Sequence, residues 1–517
     1  MKFFLLSLFT LFLANLNAQN TKYWVFFKDK PNHSKIHLSS KSMERRLKQN
    51  IPLDEKDYPV SEIYIQNLED LGFKVLKKSR WLNAVSVYAT VNDIMKLQNL
   101  PYIVKIQPVT KWKVHKVPVS VLDKTLSNYG NSEIQNTMID MPYLHDKGYT
   151  GAGMLIGIFD SGFINANLHR AFKRVYDNQR VVATYNFVNN DTNVYTLDNH
   201  GTYVWSCIAS YVPDTMIGTG YDASFILAVT EDVGSETTAE EDNWLAAMEW
   251  ADSLGVDIIN TSLGYNVMDD GIHYTYQDMD GNTTIITRAA DIAASKGILC
   301  VIAAGNEGNG SWQKITAPCD ADSVLCVGSV NFNRLRSSFS SMGPTADGRI
   351  KPDVMAMGGF AAVASSNLDF TYSSGTSFAT PIITGLVACL WQANPTKSNM
   401  EILQAIKNSA DRAYNPDTLY GWGIPNAARA DSLLKGLPIS NEKSKLFTIK
   451  IYPNPAKNFI NIEGIHIRDV WLTDLQGKKL PSQWQSPQLH FALPKGLYLL
   501  HILSQEGILL HKKIVVE

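Results

Sequence analysis

The chain has 517 residues, more than one hydrophobic core holds, so several domains are expected. Hydrophobic residues make up 45% and charged residues 19%, a balance that excludes an intrinsically disordered chain. The formal net charge of -2 leaves no basic surplus for a nucleic-acid partner or an anionic membrane surface.

Residues 1–18 read as a signal peptide. Lys2 supplies a minimal positive start, 3–13 an apolar core, and Ala18 a small residue for cleavage before Gln19. That run is too short for a stable transmembrane span, and no other stretch is expected to be long and apolar enough for one. Residues 19–117 mix short strands (23–27, 73–76, 84–88, 103–108) with helices (39–48, 61–71, 91–97), which predicts a small α+β domain. The basic helix 39–48 is expected to present a solvated face. Residues 118–132 are polar and patternless, and read as a linker.

The pattern then changes over 130–436. Near-continuous apolar runs at 154–159, 224–229, 257–259, 298–303 and 324–330 alternate with helical stretches at 203–210, 240–253 and 287–296. Thr238 and Glu241 have capping-box spacing. Gly255 and Gly297 stand where C-cap glycines belong. Apolar strands alternating with helices predict an α/β fold, a parallel sheet covered on both faces. Such sheets bind ligands beyond the carboxyl ends of their strands. Asp160-Ser161-Gly162, Ser262-Leu263-Gly264 and Gly305-Asn306-Glu307-Gly308 fall there, and Asn199-His200-Gly201-Thr202 opens a helix.

Five cysteines give no zinc-site spacing. Cys207, Cys300, Cys326 and Cys389 lie inside apolar runs and read as small core residues, with a Cys319–Cys326 pair as the alternative.

Ser377 stands two residues after Gly375 and just ahead of the apolar run 382–391, at the expected start of a buried helix. Unpaired N–H groups and the helix dipole favour developing negative charge there. Acyl transfer through serine also needs a base, a carboxylate to orient it, and donors for the oxyanion. Asp160, His200 and Asn306 are of those types. Singly, each has a plain structural reading: a capping serine, a turn aspartate, a structural histidine, a turn asparagine.

Together they carry a resemblance. The blocks 156–162, 200–202, 303–308 and 375–381, in the order Asp, His, Asn, Ser, resemble the subtilisin-like serine peptidases, the subtilases. The resemblance implies that Ser377 attacks the scissile carbonyl, that His200 serves as general base, and that Asp160 orients it. It implies that Asn306, with the Ser377 backbone N–H, holds the oxyanion. Ser262, Leu263 and Gly264 match the edge segment that pairs with extended substrate and walls the first specificity pocket. Where many members have a second histidine, this chain has Tyr203. The acidic stretch 231–242 and the insertion 265–284 flank the expected cleft. They are expected to be a solvated helix entry and a surface loop, with a preference for basic or bulky substrate side chains as the alternative. Many subtilases bind calcium; Asp278-Met279-Asp280-Gly281 is acidic but lacks the EF-hand spacing, so no cofactor is required by this reading and calcium stays unassigned. The resemblance also makes 19–117 an inhibitory propeptide, with a retained binding module as the alternative.

After a capped helix at 398–411, the turn Tyr420-Gly421-Trp422-Gly423 and a closing helix at 424–434, residues 438–445 read as a linker. Residues 447–517 alternate short strands with turns, Gln476-Gly477 and Glu506-Gly507 among them, and predict a small β-sandwich. The blocks 451–455, 474–478 and 496–498 resemble C-terminal sorting domains of the type IX secretion system of Bacteroidota. The expected protein is a secreted or cell-surface endopeptidase made as an inactive precursor. Its expected partners are polypeptide substrates, its own propeptide and the type IX machinery. The rivals are an inactive subtilase scaffold or adhesin, and a peptide ligase or cyclase using the same residues.

Overall fold

The computed structural model describes residues 21–31, 35–109, 111–112, 128–196, 198–232, 236–237, 239–266, 274–437, 450–463, 467–474, 479–504 and 509–517. The signal peptide, most of the 118–132 linker, Thr238, the 438–445 linker and the turns at Gln476-Gly477 and Glu506-Gly507 lie outside them.

The N-terminal unit is a four-stranded antiparallel sheet in the order β2-β3-β1-β4, built from β1 (Thr21–Phe27), β2 (Val75–Ser79), β3 (Ala84–Ala89) and β4 (Ile103–Val109). Helices α1 (Ser40–Lys48), α2 (Glu62–Asp70) and α3 (Val91–Gln98) complete it. Side chains alternate across a strand, and β1 shows what this achieves. Val25 and Phe27 face a small core with Leu68, Val85, Val87 and Leu97, while Trp24 and Phe26 face away into a second core shared with the following domain. The expected strand at 73–76 begins later, because Phe73 is still packed in the small core after the turn at Gly72.

Helix α1 corrects the sequence reading. Arg45 and Arg46 are buried rather than solvated. Both pair with Asp252, and Arg46 also pairs with Asp57 at 2.8 Å.

The central domain holds a seven-stranded sheet in the order β13-β12-β11-β10-β6-β8-β7, with every pairing parallel. Its strands are β6 (Leu155–Asp160), β7 (Val181–Asn186), β8 (Ser224–Val229), β10 (Ile258–Thr261), β11 (Leu299–Ala303), β12 (Leu325–Val330) and β13 (Val354–Met357). A two-residue ladder joins β5 (Lys111–Trp112), after the N-terminal sheet, to β9 (Glu236–Thr237). Helices α4 (His200–Ala209) and α7 (Thr376–Ala393) cover one face of the sheet; α5 (Ala239–Leu254) and α6 (Ile285–Ser295) cover the other. Helix α8 (Asn399–Ser409) opens with a capping box between Ser398 and Glu401, and α9 (Ala427–Leu434) closes the domain. Two edge strands, β7 and β13, were not expected. The first is only half-buried and lacks an apolar run; the second is four residues long.

Helix α7 is long and apolar enough to cross a membrane, contrary to the sequence expectation that no such stretch remains, but 89% of it is buried inside the domain. Gly385 permits that burial: a Cβ there would stand 2.6 Å from the Cβ of Thr219. Cys319 and Cys326 form a disulfide, which corrects the reading of Cys326 as a plain core residue.

The C-terminal unit, residues 438–517, is a separate body. Its described strands form two four-stranded antiparallel sheets. Ile460, Leu472, Leu489, Leu500, Ile502 and Ile514 make its core.

Candidate active site

Parallel pairing brings the carboxyl ends of β6, β8, β10 and β11 to one edge, and the polar breaks in the apolar pattern collect there. Asp160 is the last residue of β6 and is wholly buried. His200 is the first residue of α4; its Nδ1 lies 2.7 Å from Asp160 Oδ1. Its side chain keeps 28% exposure, so the ring is held from behind and open in front. The ring centre is 5.9 Å from that of Phe378, the neighbour of Ser377.

Ser377 is the second residue of α7. Its hydroxyl donates to the carbonyl of Ser262 at 3.1 Å, and the Ser262 hydroxyl donates to the carbonyl of Ser377 at 2.9 Å. Asn306 follows β11 and Gly305. Its Oδ1 accepts from the N–H of Thr376 at 2.9 Å and from the Thr376 hydroxyl at 3.0 Å. That fixes the carboxamide by its oxygen and leaves Nδ2 facing the backbone ahead of Ser377; a Cβ on Gly375 would stand 3.7 Å from it. Leu263 and Gly264 continue from Ser262 to Tyr265, whose N–H and carbonyl both pair with Ala317. The structure thus brings Asp160 to His200, and Ser262 and Asn306 to the start of α7. Tyr203 is half-buried beside them, its hydroxyl 3.5 Å from Asn199 Nδ2.

The acidic stretch is not a solvated helix entry. Glu231, Glu240, Glu241 and Asp242 are all buried. Glu231 accepts from the Tyr265 hydroxyl at 2.5 Å and from the Thr230 hydroxyl at 3.0 Å. Burial pushes its carboxyl up to about 7, with the charge of Asp160 acting in the same direction. Glu241 receives the Tyr274 hydroxyl at 2.9 Å, and burial pushes it up to about 8. Asp242 pairs with Lys22 and accepts from Trp24 Nε1 at 2.6 Å, both from the N-terminal unit.

Among the described residues no group of three or more His, Cys, Asp or Glu stands together as a metal cage. Asp280 accepts from the N–H groups of Asn282 and Thr283 at 2.8 Å, and Asp278 from that of Thr275 at 2.7 Å, so both carboxylates serve local turns. Sequence reasoning missed Asp198, whose carboxylate lies 3.0 Å from the Ser161 hydroxyl. Its position two residues before His200 was the available signal.

A serine at a helix start, an Asp–His pair and a carboxamide thus stand at the carboxyl edge of a parallel sheet. The Subtilase family (Peptidase S8) matches residues 151–423, and the chain belongs to that family. The Peptidase S8 propeptide domain of Bacteroidota matches residues 22–121, and the secretion system C-terminal sorting domain matches residues 450–517. Similar proteins include Subtilisin NAT of Bacillus subtilis subsp. natto, 29% identical over 370 residues, which are 70% of this chain and 84% of that protein. M-protease of Shouchella clausii (strain KSM-K16) is 26% identical over 70% of this chain and 83% of its own length. Subtilisin DY of Bacillus licheniformis is 32% identical over 55% of this chain and 93% of its own. The chain is therefore a subtilisin-like serine endopeptidase with its own propeptide, secreted or held at the cell surface through its sorting domain.

Proposed function

We propose that Ser377, His200 and Asp160 form a catalytic triad that hydrolyses peptide bonds through an acyl-enzyme. Ser377 Oγ attacks the scissile carbonyl while His200 takes its proton; His200 then gives that proton to the leaving amine. Water repeats the sequence on the ester. Asp160 holds the His200 ring and stabilises its imidazolium. Asn306 Nδ2 and the Ser377 N–H receive the oxyanion, and the strand-like segment Ser262-Leu263-Gly264 pairs with the substrate backbone. The 2.7 Å bond between His200 Nδ1 and Asp160 carries this reading, because a carboxylate acceptor fixes the tautomer with the proton on Nδ1, which makes Nε2 the basic nitrogen of the ring.

Residues 1–18 are a signal peptide, 19–117 an inhibitory propeptide, 130–436 the mature enzyme, and 447–517 a tail removed after export. No cofactor is required. Incubating the secreted protein with a serine-directed phosphonate and mapping the label by mass spectrometry tests the assignment. Label on Ser377, absent in Ser377→Ala, supports it. A processed protein that takes no label reads instead as an inactive scaffold. Amine-ligated rather than hydrolysed products would make it a ligase.

A further inference from the structure

The carboxylate that holds His200 has a second carboxylate behind it. Ser161 donates its backbone N–H to Asp160 Oδ1 at 2.8 Å, and its hydroxyl lies 3.2 Å from the same oxygen. That hydroxyl also lies 3.0 Å from Oδ2 of Asp198. A serine hydroxyl has one proton to donate, so the two carboxylates compete for it. Asp198 Oδ1 accepts from the N–H of Asn199 at 2.8 Å, and the Asp198 carbonyl accepts from the N–H of Ile164 at 3.1 Å. One residue thus ties the end of β6 to the start of α4, the two segments that bear Asp160 and His200. The backbones are close: Gly162 has φ +154°, and a Cβ there would stand 2.6 Å from the Asp198 nitrogen. Asp160, Ser161 and Asp198 are all buried.

We propose that Asp198 is a positioning residue for the peptidase reaction. It acts through Ser161 on Asp160, setting the acceptor strength of Oδ1 and with it the basicity of His200. The proposal rests on the triad reading above. Asp160 concentrates the effect on one oxygen: Oδ1 takes the His200 bond and both Ser161 contacts, while Oδ2 is buried with no hydrogen-bond partner among the described residues. A donor given to a carboxylate weakens it as a base. When Ser161 turns its proton to Asp198, Asp160 is left a stronger acceptor for the His200 Nδ1–H. The negative charge of Asp198 acts in the same direction by favouring the imidazolium. Among the described residues, Glu231, beyond the end of β8, also faces this pair and is engaged by Tyr265 and Thr230. No proton enters or leaves the group; the Ser161 proton only changes its acceptor.

The test compares Asp198→Asn, Ser161→Ala and Ser161→Thr in the processed enzyme. Two quantities are read: the acid limb of kcat/KM on an uncharged peptide substrate, and the low-field proton resonance of His200 Nδ1–H. Asp198→Asn removes the charge, so the limb moves to lower pH, the resonance moves upfield, and kcat falls several-fold with KM little changed. Ser161→Ala deprives the carboxylates of a donor, so the limb moves to higher pH. Ser161→Thr keeps the hydroxyl and restores the parent limb. Opposite shifts are the signature, because general loosening of the site moves both variants alike. Unmoved limbs and resonances, or shifts of the same sign, overturn the proposal. If Asp198→Asn fails to fold, the Ala–Thr pair at Ser161 carries the comparison. A parent enzyme in which Ser377 does not react with a serine-directed phosphonate fells the triad reading instead.

Discussion

Ser262 supplies the donor that Pro381 denies to Ser377. Pro381 stands at position i+4 from Ser377 in α7, and proline has no N–H to return to the Ser377 carbonyl. The Ser262 hydroxyl occupies that acceptor at 2.9 Å, and the Ser377 hydroxyl answers at 3.1 Å to the Ser262 carbonyl. The backbone of the proposed nucleophile is therefore fixed to the segment proposed to bind substrate. Ser262→Ala leaves a buried carbonyl unsatisfied, at a cost of about 1–3 kcal/mol. The expected result is a lower melting temperature of the precursor and a reduced kcat, read by calorimetry and by turnover normalised to titrated active sites. An unchanged melting temperature would show that the carbonyl finds another donor.

Asn306 is held by its oxygen, so its contribution resides in Nδ2. Asn306→Ala should lower kcat with KM nearly constant, since the donor meets charge that exists only in the transition state. Loss of one such donor costs about 2.7–4 kcal/mol, a figure established on subtilisin itself. Steady-state kinetics of the processed variant decides this, and a rise in KM at unchanged kcat would remove Asn306 from the oxyanion site.

The elements that position this site are visible in the sequence because parallel strands buried on both faces read as apolar runs, and Asp160, Ser262 and Asn306 are the polar residues at which those runs end. What the sequence conceals is which charges are buried. Trp24 and Asp242 are 218 residues apart, and Arg45 and Asp252 are 207 apart. A basic helix and an acidic helix start look solvated until the partner from the other domain is known. The half-exposed β7 and four-residue β13 escaped for a different reason, since neither is long and apolar enough to stand out. Asp198 was passed over because its carboxylate acts through Ser161, and only the folded chain brings the two together.

Asp252 illustrates how such burial holds the propeptide. It accepts from Arg46 at 2.9 Å and Arg80 at 2.7 Å as well as from Arg45, all three from the N-terminal unit. Removing one partner of a buried pair costs about 3–5 kcal/mol because the other charges stay behind without it. In the precursor, locked by Ser377→Ala, Asp252→Asn should lower the urea midpoint accordingly. In the mature enzyme the arginines are gone, so the same substitution should change stability by less than about 1 kcal/mol. Equal effects in both forms would mean that Asp252 supports the catalytic domain and not the seat of its inhibitor.

Glu241 should make the precursor less stable in alkali. Burial raises its carboxyl from the ordinary 4.5 to about 8, against the bond from Tyr274. Between those values the folded chain keeps a proton that the unfolded chain releases, so stability declines as pH rises through that window and the full penalty is present above it. Glu241→Gln keeps an acceptor for the Tyr274 hydroxyl but has no proton to lose. Denaturation of the Ser377→Ala precursor, with and without Glu241→Gln, should give similar midpoints in acid and a growing advantage for the glutamine form as pH rises. Beyond the upper value the gain should level off at a few kcal/mol, the free energy that a shift of this size represents. A difference that is the same at every pH would mean that the substitution acts through packing, with the carboxyl's charge playing no part.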